Sequence, residues 1–288
     1  GRVYALIALG YTMVYGIAKM LNFAHGDVIM IGAYVAFTAV SGMGMPPVVG
    51  VLLSVVACTV LGVLIERIAY KPLRKASKLA VLITAIGVSY FLQNVALLIY
   101  GANTKSFTSV VTIPALKLMD GKLVISGETI VTVVACLIIM AGLMTFMKYS
   151  KSGRAMLAVS EDSGAAQLMG VNVNATIALT FAIGSGLAAV AALMYCISYP
   201  QVSPMMGAML GLKAFVAAVL GGIGSIPGAM VGGLVIGVVE SLTKAYIGTI
   251  TAGIITSAFS DAIVFAILII VLLVKPSGIM GKNEGEKV

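Results

Sequence analysis

The chain has 288 residues, of which 60% are apolar and 10% are charged, and its formal net charge is +8. Soluble globular proteins average about 45–50% apolar and about 25% charged residues, so this composition excludes a soluble enzyme, a disordered chain, a coiled coil and a disulfide scaffold. Lipid is therefore expected to be the main solvent. In a membrane protein an excess of lysine and arginine indicates orientation, so we expect no nucleic-acid partner.

Nine apolar runs of near-spanning length follow one another along the chain. A spanning helix needs about 20 residues, and several runs satisfy this length. Two runs are short and glycine-rich, which predicts broken or re-entrant helices. We predict an all-α polytopic membrane protein with about eight spans, nine being the alternative, in a single domain over residues 1–288. The runs are 3–20, 28–41, 47–65, 80–100, 129–147, 175–197, 208–222, 227–246 and 260–274.

Only Gly1 and Arg2 precede the first run. We therefore expect that residues preceding Gly1 are missing from this sequence, and a cleaved signal peptide is the alternative.

Basic residues cluster in alternate loops. Residues 66–79 carry several cations against Glu66 alone, and 148–174 begins with three more. The tail, 275–288, is also basic. Because basic loops stay in the cytoplasm, all three segments are predicted to be cytoplasmic.

The stretch 101–128 has balanced charges and is predicted to be an external loop. Within it, Asp120-Gly121 stands between alternating residues, which predicts a small hairpin over 116–125. Tyrosines at the ends of the apolar runs predict an interfacial belt. They are Tyr70, Tyr100, Tyr149, Tyr199 and Tyr246.

Glycine spacing predicts close helix packing. Three GxxxG spacings occur at 207–211, 228–232 and 233–237, and such spacing lets helix backbones approach closely in lipid. A weak internal echo suggests duplicated halves, a common design for a transport pathway. It matches Ala36-Phe37, Pro47 and Gly62-Val63 before Glu66 with Ala214-Phe215, Pro227 and Gly237-Val238 before Glu240.

Polar residues inside apolar runs are costly, so each one is a candidate for function. Between the first two runs lie Asn22, the only histidine, His25, then Gly26 and Asp27. One interpretation is a plain interfacial turn. The other is a helix break at depth that exposes backbone groups and His25 to a polar cavity, with Asp27 at a helix N-terminus.

Lys213 and Glu240 are the other two pathway candidates. Either side chain has the alternative of extending along the helix to reach an interface. Glu240 and Lys244 are four residues apart, so a simple salt bridge at the membrane edge is a further alternative.

The basic segment 148–174 contains a predicted short amphipathic helix. Ser160 is the predicted N-cap, with Glu161 and Asp162 in the first turn and Gly170 as the stop. Small apolar residues fit a protein groove better than lipid, so we favour docking to a partner over an interfacial helix. These residues are Ala165, Ala166, Leu168 and Met169.

Catalytic signatures are missing. The sequence has no GxxxxGK[ST], HExxH or GxSxG motif, and its cysteines, Cys58, Cys136 and Cys196, are far apart. We therefore predict no catalytic residue, no metal site, no disulfide and no cofactor of the chain's own. Uphill transport would then draw its energy from an ion gradient or from another subunit. The scarcity of buried carboxylates argues against an ion-coupled carrier.

Several long motifs resemble the permease family of branched-chain amino acid ABC importers, and they extend over nearly the whole chain. The match is closer to the LivH-type than to the LivM-type subunit. The motifs are YALIALGYTMVYG at 4–16, LNFAHGD at 21–27, IERIAYKPLR at 65–74, GRAMLAVSEDSGAAQLMGVNV at 153–173, GLKAFVAAVLGGIGSIPGAMVGGLVIGVVE at 211–240 and KPSGI at 275–279.

This resemblance implies a non-enzymatic subunit in the bacterial inner membrane, with its C-terminus in the cytoplasm. Its implied partners are a second, LivM-type permease, two ATPase subunits that use ATP, and a periplasmic or lipid-anchored protein that delivers leucine, isoleucine or valine. A urea or short-amide ABC permease is the alternative within the family. A stand-alone channel or ion-coupled carrier is the alternative outside it.

The resemblance further implies that residues 153–170 are a coupling element seated in an ATPase groove. The coupling residues are Gly153, Arg154, Ser160, Glu161, Asp162, Ala165, Ala166, Leu168 and Gly170. We expect the polar break at 21–27 and the glycine-rich region 211–228 to line or gate the pathway.

Overall fold

All nine predicted runs form helices in the computed structural model of the chain. The structure describes residues 2–74, 76–106, 116–118, 123–125, 127–250, 259–275 and 277–281. Its helices are α1 Arg2–Ala18, α2 His25–Phe37, α3 Pro47–Ile65, α4 Lys78–Tyr100, α5 Gly127–Tyr149, α6 Lys151–Glu161, α7 Ser163–Leu168, α8 Val173–Ser198, α9 Met206–Gly221, α10 Ile226–Ile250 and α11 Ser260–Val274.

The strands are two or three residues long and form two antiparallel pairs. β1 Lys105–Ser106 pairs with β4 Gln201–Val202, which joins the 101–128 stretch to the α8–α9 connection. β2 Leu116–Leu118 pairs with β3 Leu123–Ile125, with Leu118 opposite Leu123. The predicted hairpin is therefore confirmed, although its Asp120-Gly121 turn lies outside the described residues. The all-α prediction is confirmed as well.

Five of the described helices are long and apolar enough to cross a membrane, so the chain is a multi-pass membrane protein. Three shorter apolar helices, in α1, α9 and α11, accompany them. Large apolar side chains such as Leu52 and Leu98 are exposed on α3 and α4. Lipid is as apolar as these side chains, so their exposure carries no hydrophobic cost there.

Two helices end in a wider turn. α2 continues as a π-helix over Thr38–Gly42, and α3 continues as a π-helix over Glu66–Tyr70. A short 3₁₀ turn, Lys71–Leu73, then leads toward α4. Such π segments occur frequently at functional sites, and the second one lies next to a buried polar contact described below.

The helix packing has the pattern expected of duplicated halves. α1 packs against α10 and α8 packs against α3, while α2 and α9 pack against α3 and α10 respectively. Exchanging α1, α2 and α3 with α8, α9 and α10 reproduces the same set of neighbours. The internal echo in the sequence relates these same helices.

Glycines of all three GxxxG spacings lie in close contact with the backbone of another helix, as the spacing predicts. Gly232 faces the backbone of Ala217 in α9, and Gly233 faces the backbone of Ala5 in α1. A Cβ atom at either position would collide with that backbone, so α10 contacts both neighbours at close range only because these residues are glycines.

Candidate functional site

The polar segment between α1 and α2 is a helix break at depth. The chain leaves α1 at Lys19, which has a positive φ of 54°, and turns back along the helix. His25, the first residue of α2, lies beside Gly10, where an added Cβ would be 3.0 Å from the His25 Nε2 atom. Gly10 is eight residues, about 12 Å, before the end of α1 at Ala18, so α2 begins well back along α1. The interfacial-turn interpretation is therefore wrong.

Asp27 lies at the same depth. Its carboxylate accepts hydrogen bonds from Ser89 Oγ at 2.5 Å and from Gln93 Nε2 at 3.0 Å. Ser89 lies eleven residues beyond Lys78, the start of α4, which is about 16 Å along the helix. A bilayer core is about 30 Å thick, so Asp27 is near the middle of the α4 span.

The N-terminus of α9 meets the N-terminus of α2 at this point. Gly26 faces Gly207 and Gly211, where an added Cβ would lie 2.6 Å from the Gly211 nitrogen. A Cβ on Gly207 would likewise lie 2.6 Å from Asp27 Oδ1. We call residues 25–27 with 207–211 the junction. Two helix N-termini therefore face one buried carboxylate, which their partial positive charges stabilise.

His25 does not face a polar cavity, which corrects the expectation from sequence. Its ring is buried and packs edge-on against Tyr11 at 6.0 Å between centroids, and Phe215 and Phe23 extend this cluster. Neither ring nitrogen makes a hydrogen bond of ordinary length within the described part of the chain. His25 therefore contributes to the junction by packing.

Asn22 is buried just before the junction, and its partner is Tyr70. The Tyr70 hydroxyl donates to Asn22 Oδ1 at 3.1 Å and lies 3.4 Å from the Leu21 carbonyl oxygen. The Tyr70 ring packs against Phe181 of α8. The prediction of Tyr70 as a member of an exposed belt is therefore wrong, because its hydroxyl has a buried acceptor.

The second group of candidates forms a set of four charges, which we call the charge cluster; Lys213 and Glu240 are buried, whereas Asp261 and Lys244 are partly exposed at its edge. Lys213 Nζ lies 3.1 Å from Glu240 Oε1 and 2.8 Å from Asp261 Oδ1, and Lys244 Nζ lies 2.5 Å from the same Glu240 oxygen. The predicted Glu240–Lys244 pair is confirmed. Lys213 is buried between two carboxylates, so the interpretation that it extends to an interface is wrong. Sequence reasoning missed Asp261, whose only signal was its place in the first turn of α11.

An open cleft of about 500 Å³ lies beside the charge cluster. It is formed at the start of α1 and α5 and at the end of α8, with Glu240 and Lys244 on one wall. Its aromatic lining residues are Tyr4, Tyr195 and Tyr199. Paired charges next to apolar walls suit a small ligand that carries both charges and an apolar side chain.

The segment at the opposite end of α5 and α8 folds as two helices, not one. α6 begins after Ser150, whose hydroxyl caps the Gly153 nitrogen at 2.8 Å, and continues through Ser160 to Glu161. Ser160 donates its hydroxyl to the Leu157 carbonyl and is not an N-cap. The N-cap of α7 is Asp162, whose carboxylate accepts from Gly164 and Ala165 nitrogens at 2.8 and 3.0 Å. Both residues are good caps, and the unbroken first helix decides between them.

The exposed surface of α7 is larger and more apolar than the alanines suggested. Ala166 is buried, whereas Leu168 is 90% exposed and the following residue, Met169, is 84% exposed. Gly170 has a positive φ of 85° and ends the helix as predicted. Gly153 packs against the α5 backbone, which leaves Arg154 exposed on α6.

Comparisons with known proteins identify the family. The model for the permease component of branched-chain amino acid transport systems matches residues 1–272. The chain belongs to this family. The high-affinity branched-chain amino acid transport permease BraD of Pseudomonas aeruginosa is 44% identical over 299 residues, covering 100% of this chain and 94% of BraD. LivH of Escherichia coli K12 is 44% identical over 306 residues with the same shares. No solved structure matches the chain significantly.

The three regions described above lie at different positions along the helices of this permease. The cleft and the charge cluster lie at one end, the junction lies halfway, and α6–α7 lies at the other end. Within the described ranges, no group of three or more His, Cys, Asp or Glu side chains is placed to hold a metal ion.

Proposed function

We propose that this chain is the permease subunit of an ATP-driven importer for leucine, isoleucine and valine. The observation that carries the proposal is 44% identity over the whole chain to permeases of branched-chain amino acid transport. A second, LivM-type permease completes the pathway, a periplasmic or lipid-anchored binding protein delivers the amino acid, and two ATPase subunits hydrolyse ATP. The chain needs no cofactor of its own. It crosses the bacterial inner membrane about eight times with a cytoplasmic C-terminus.

The pathway we propose starts at the cleft and narrows at the junction. The cleft offers paired charges for the zwitterionic end of an amino acid and apolar walls for its branched side chain. Below it, the amino acid passes the glycine contacts of the junction, near the polar groups of Asn22 and Asp27. Lys213 and Glu240 hold the cleft wall in shape. Few fixed charges along the route suit a solute whose side chain is aliphatic.

We propose that Leu168 and Met169 are the contact with the ATPase. They are exposed at the end of a short capped helix, and the basic residues Lys148, Lys151 and Arg154 precede that helix along the chain. Exposed apolar residues at such a position fit a groove on a partner, and anchors of this kind carry most of the energy of an interface.

The test reconstitutes the chain with its second permease, ATPases and binding protein in vesicles and measures ATP-dependent leucine uptake. Replacing both exposed residues, Leu168→Asp with Met169→Asp, is expected to lower uptake and stimulated ATP hydrolysis by at least about tenfold. The amount of chain in the membrane should not change. Gln167→Asp is the matched control, because it adds charge to the same exposed helix without removing an apolar anchor.

Other results would overturn parts of the proposal. Leucine uptake by the chain without ATPase subunits would identify a channel or a carrier. Uptake of urea or short amides in place of leucine would change the solute. Normal uptake by the double variant would show that the ATPase contact does not depend on Leu168 and Met169.

A further inference from the structure

Arg74 links the helix that follows α7 to the end of α3. Its Nη1 atom donates to Asn174 Oδ1 and its Nη2 atom donates to Glu66 Oε1. Asn174 is the second residue of α8, and Asn172 caps that helix by accepting from the Ala175 nitrogen. The first turn of α8 therefore joins the end of α7 to Arg74. We call Glu66, Arg74 and Asn174 the arginine link.

The arginine link does not use all of its hydrogen-bonding groups. A guanidinium and a carboxylate can pair through two parallel hydrogen bonds. Here only one such bond is made, and Glu66 Oε2 and Arg74 Nε are buried without a partner in the described part of the chain. If Asn174 moved away, the guanidinium would be free to turn so that its Nε atom pairs with Glu66 Oε2 beside the existing bond from Nη2 to Oε1. The atoms for a second, two-bond arrangement are therefore in place, and a coupling element needs two such arrangements.

Glu66 connects this link to the junction through the π-helix. Glu66 is the first residue of the π segment and Tyr70 is the last. The Tyr70 hydroxyl holds Asn22, which is three residues before His25 and the start of α2. Segments of π-helix are rare and occur frequently at functional sites, and this one joins the arginine link to the contact between Tyr70 and Asn22.

We propose that Arg74 and Tyr70 are positioning residues that carry the movement of α7 to the junction during ATP-driven transport. The proposal rests on the proposed function, since it assigns a route by which the ATPases act on the pathway. When α7 is displaced, the first turn of α8 moves, Arg74 exchanges Asn174 for the second oxygen of Glu66, and the π segment shifts Tyr70 with Asn22. The start of α2 then moves against α9.

The first experiment removes one hydroxyl. Tyr70→Phe deletes the bond to Asn22 and keeps the ring that packs on Phe181. We expect about two- to tenfold less leucine moved per ATP hydrolysed, the range that corresponds to one hydrogen bond, with an unchanged amount of chain in the membrane. The matched control is Tyr34→Phe, because Tyr34 is fully buried in α2 and its hydroxyl has no partner among the described residues. A purely structural role would lower the amount of chain and leave the ratio unchanged.

The second experiment is a double-variant cycle across the route. Asn174→Ala should lower the same ratio, whereas Asn94→Ala, which loses only a bond to the Tyr90 carbonyl on its own helix, should not. If both residues act on one route, Tyr70→Phe combined with Asn174→Ala should be no worse than the stronger single variant. Multiplying effects, or an unchanged ratio in either single variant, would overturn the route.

The two proposals fail in different ways. A wild-type complex that takes up none of the three amino acids would overturn the proposed function. The route would still be tested by the ratio of binding-protein-stimulated to basal ATP hydrolysis, which needs no knowledge of the solute.

Discussion

Glu66 lies at the π-helical end of α3 and Glu240 lies within α10, the helix that takes the place of α3 when the two halves are exchanged, and their surroundings differ. Both are buried, at 1% and 5% exposure, and both form ion pairs with basic side chains. In the charge cluster, Glu240 pairs with two lysines and Lys213 pairs with two carboxylates. Every charge of the cluster therefore has a partner of opposite sign, and we call this a closed network. In the arginine link, one oxygen of Glu66 and one nitrogen of Arg74 have no partner in the described residues.

The difference indicates which half is fixed and which can adjust. Charges taken out of water are tolerated when each is matched, and breaking such a match is costly. The closed network therefore holds α9, α10 and α11 in one arrangement. The arginine link keeps spare bonding capacity at the end of the molecule where we propose that the ATPases bind. A buried acid therefore belongs to a rigid wall in one half and to a movable joint in the other.

The largest expected effect comes from opening the closed network. Glu240→Gln combined with Asp261→Asn leaves the Lys213 ammonium buried without a carboxylate. We expect a loss of about 3–5 kcal/mol in the free energy of unfolding, measured by denaturant titration in detergent micelles. Lys244→Gln is the control, since that side chain is 49% exposed and its loss should cost at most about 1 kcal/mol. Equal losses in the two variants would show that the network is not closed.

The second prediction concerns the junction, where the two halves touch. Gly26→Ala places a Cβ 2.6 Å from the Gly211 nitrogen, so α2 and α9 must separate. We expect a loss of about 1–3 kcal/mol in stability, together with reduced uptake. Gly87→Ala in α4 is the matched control, because no heavy atom lies within 4 Å of its added Cβ. That variant should be neutral or stabilised by up to about 1 kcal/mol, since alanine favours a helix. A stable, fully active Gly26→Ala protein would mean that the halves do not depend on backbone contact there.

The helices of this chain could be predicted from its sequence because apolar run length is a local property. The break before α2 was visible for the same reason, since polar residues interrupt two apolar runs. The prediction of Ser160 as the N-cap was wrong because local signals do not distinguish it from Asp162, which the prediction placed in the first turn. Both are good caps, and only the length of α6 decides which one begins α7.

The site contacts depend on packing between distant segments. Lys213 pairs with Asp261, and Tyr70 with Asn22, only because the helices fold against one another. No spacing rule relates these residues. The weak echo did align Glu66 with Glu240, but Glu66 lies at the π-helical end of α3 and Glu240 lies inside α10, and only their partners show that one is locked and the other is adjustable.

The smallest expected effect is that of Glu66→Gln, and it compares the arginine link most directly with the charge cluster. Burial alone predicts that Glu66→Gln should destabilise at least as much as changes at Glu240, since Glu66 is the more buried acid. The arginine link predicts the opposite, because a glutamine oxygen can keep the single bond to Arg74. Arg74 also retains Asn174 and is 16% exposed to solvent.

We therefore expect Glu66→Gln to cost about 1 kcal/mol in unfolding free energy, well below the loss at the charge cluster. The amount of leucine moved per ATP should nevertheless fall, because Arg74 then lacks the second carboxylate oxygen toward which it moves. Denaturant titration and coupled uptake assays on the same preparation measure both quantities. A stability loss as large as that of the Glu240→Gln, Asp261→Asn variant would mean that both halves are closed networks, and movement would then have to enter the molecule elsewhere.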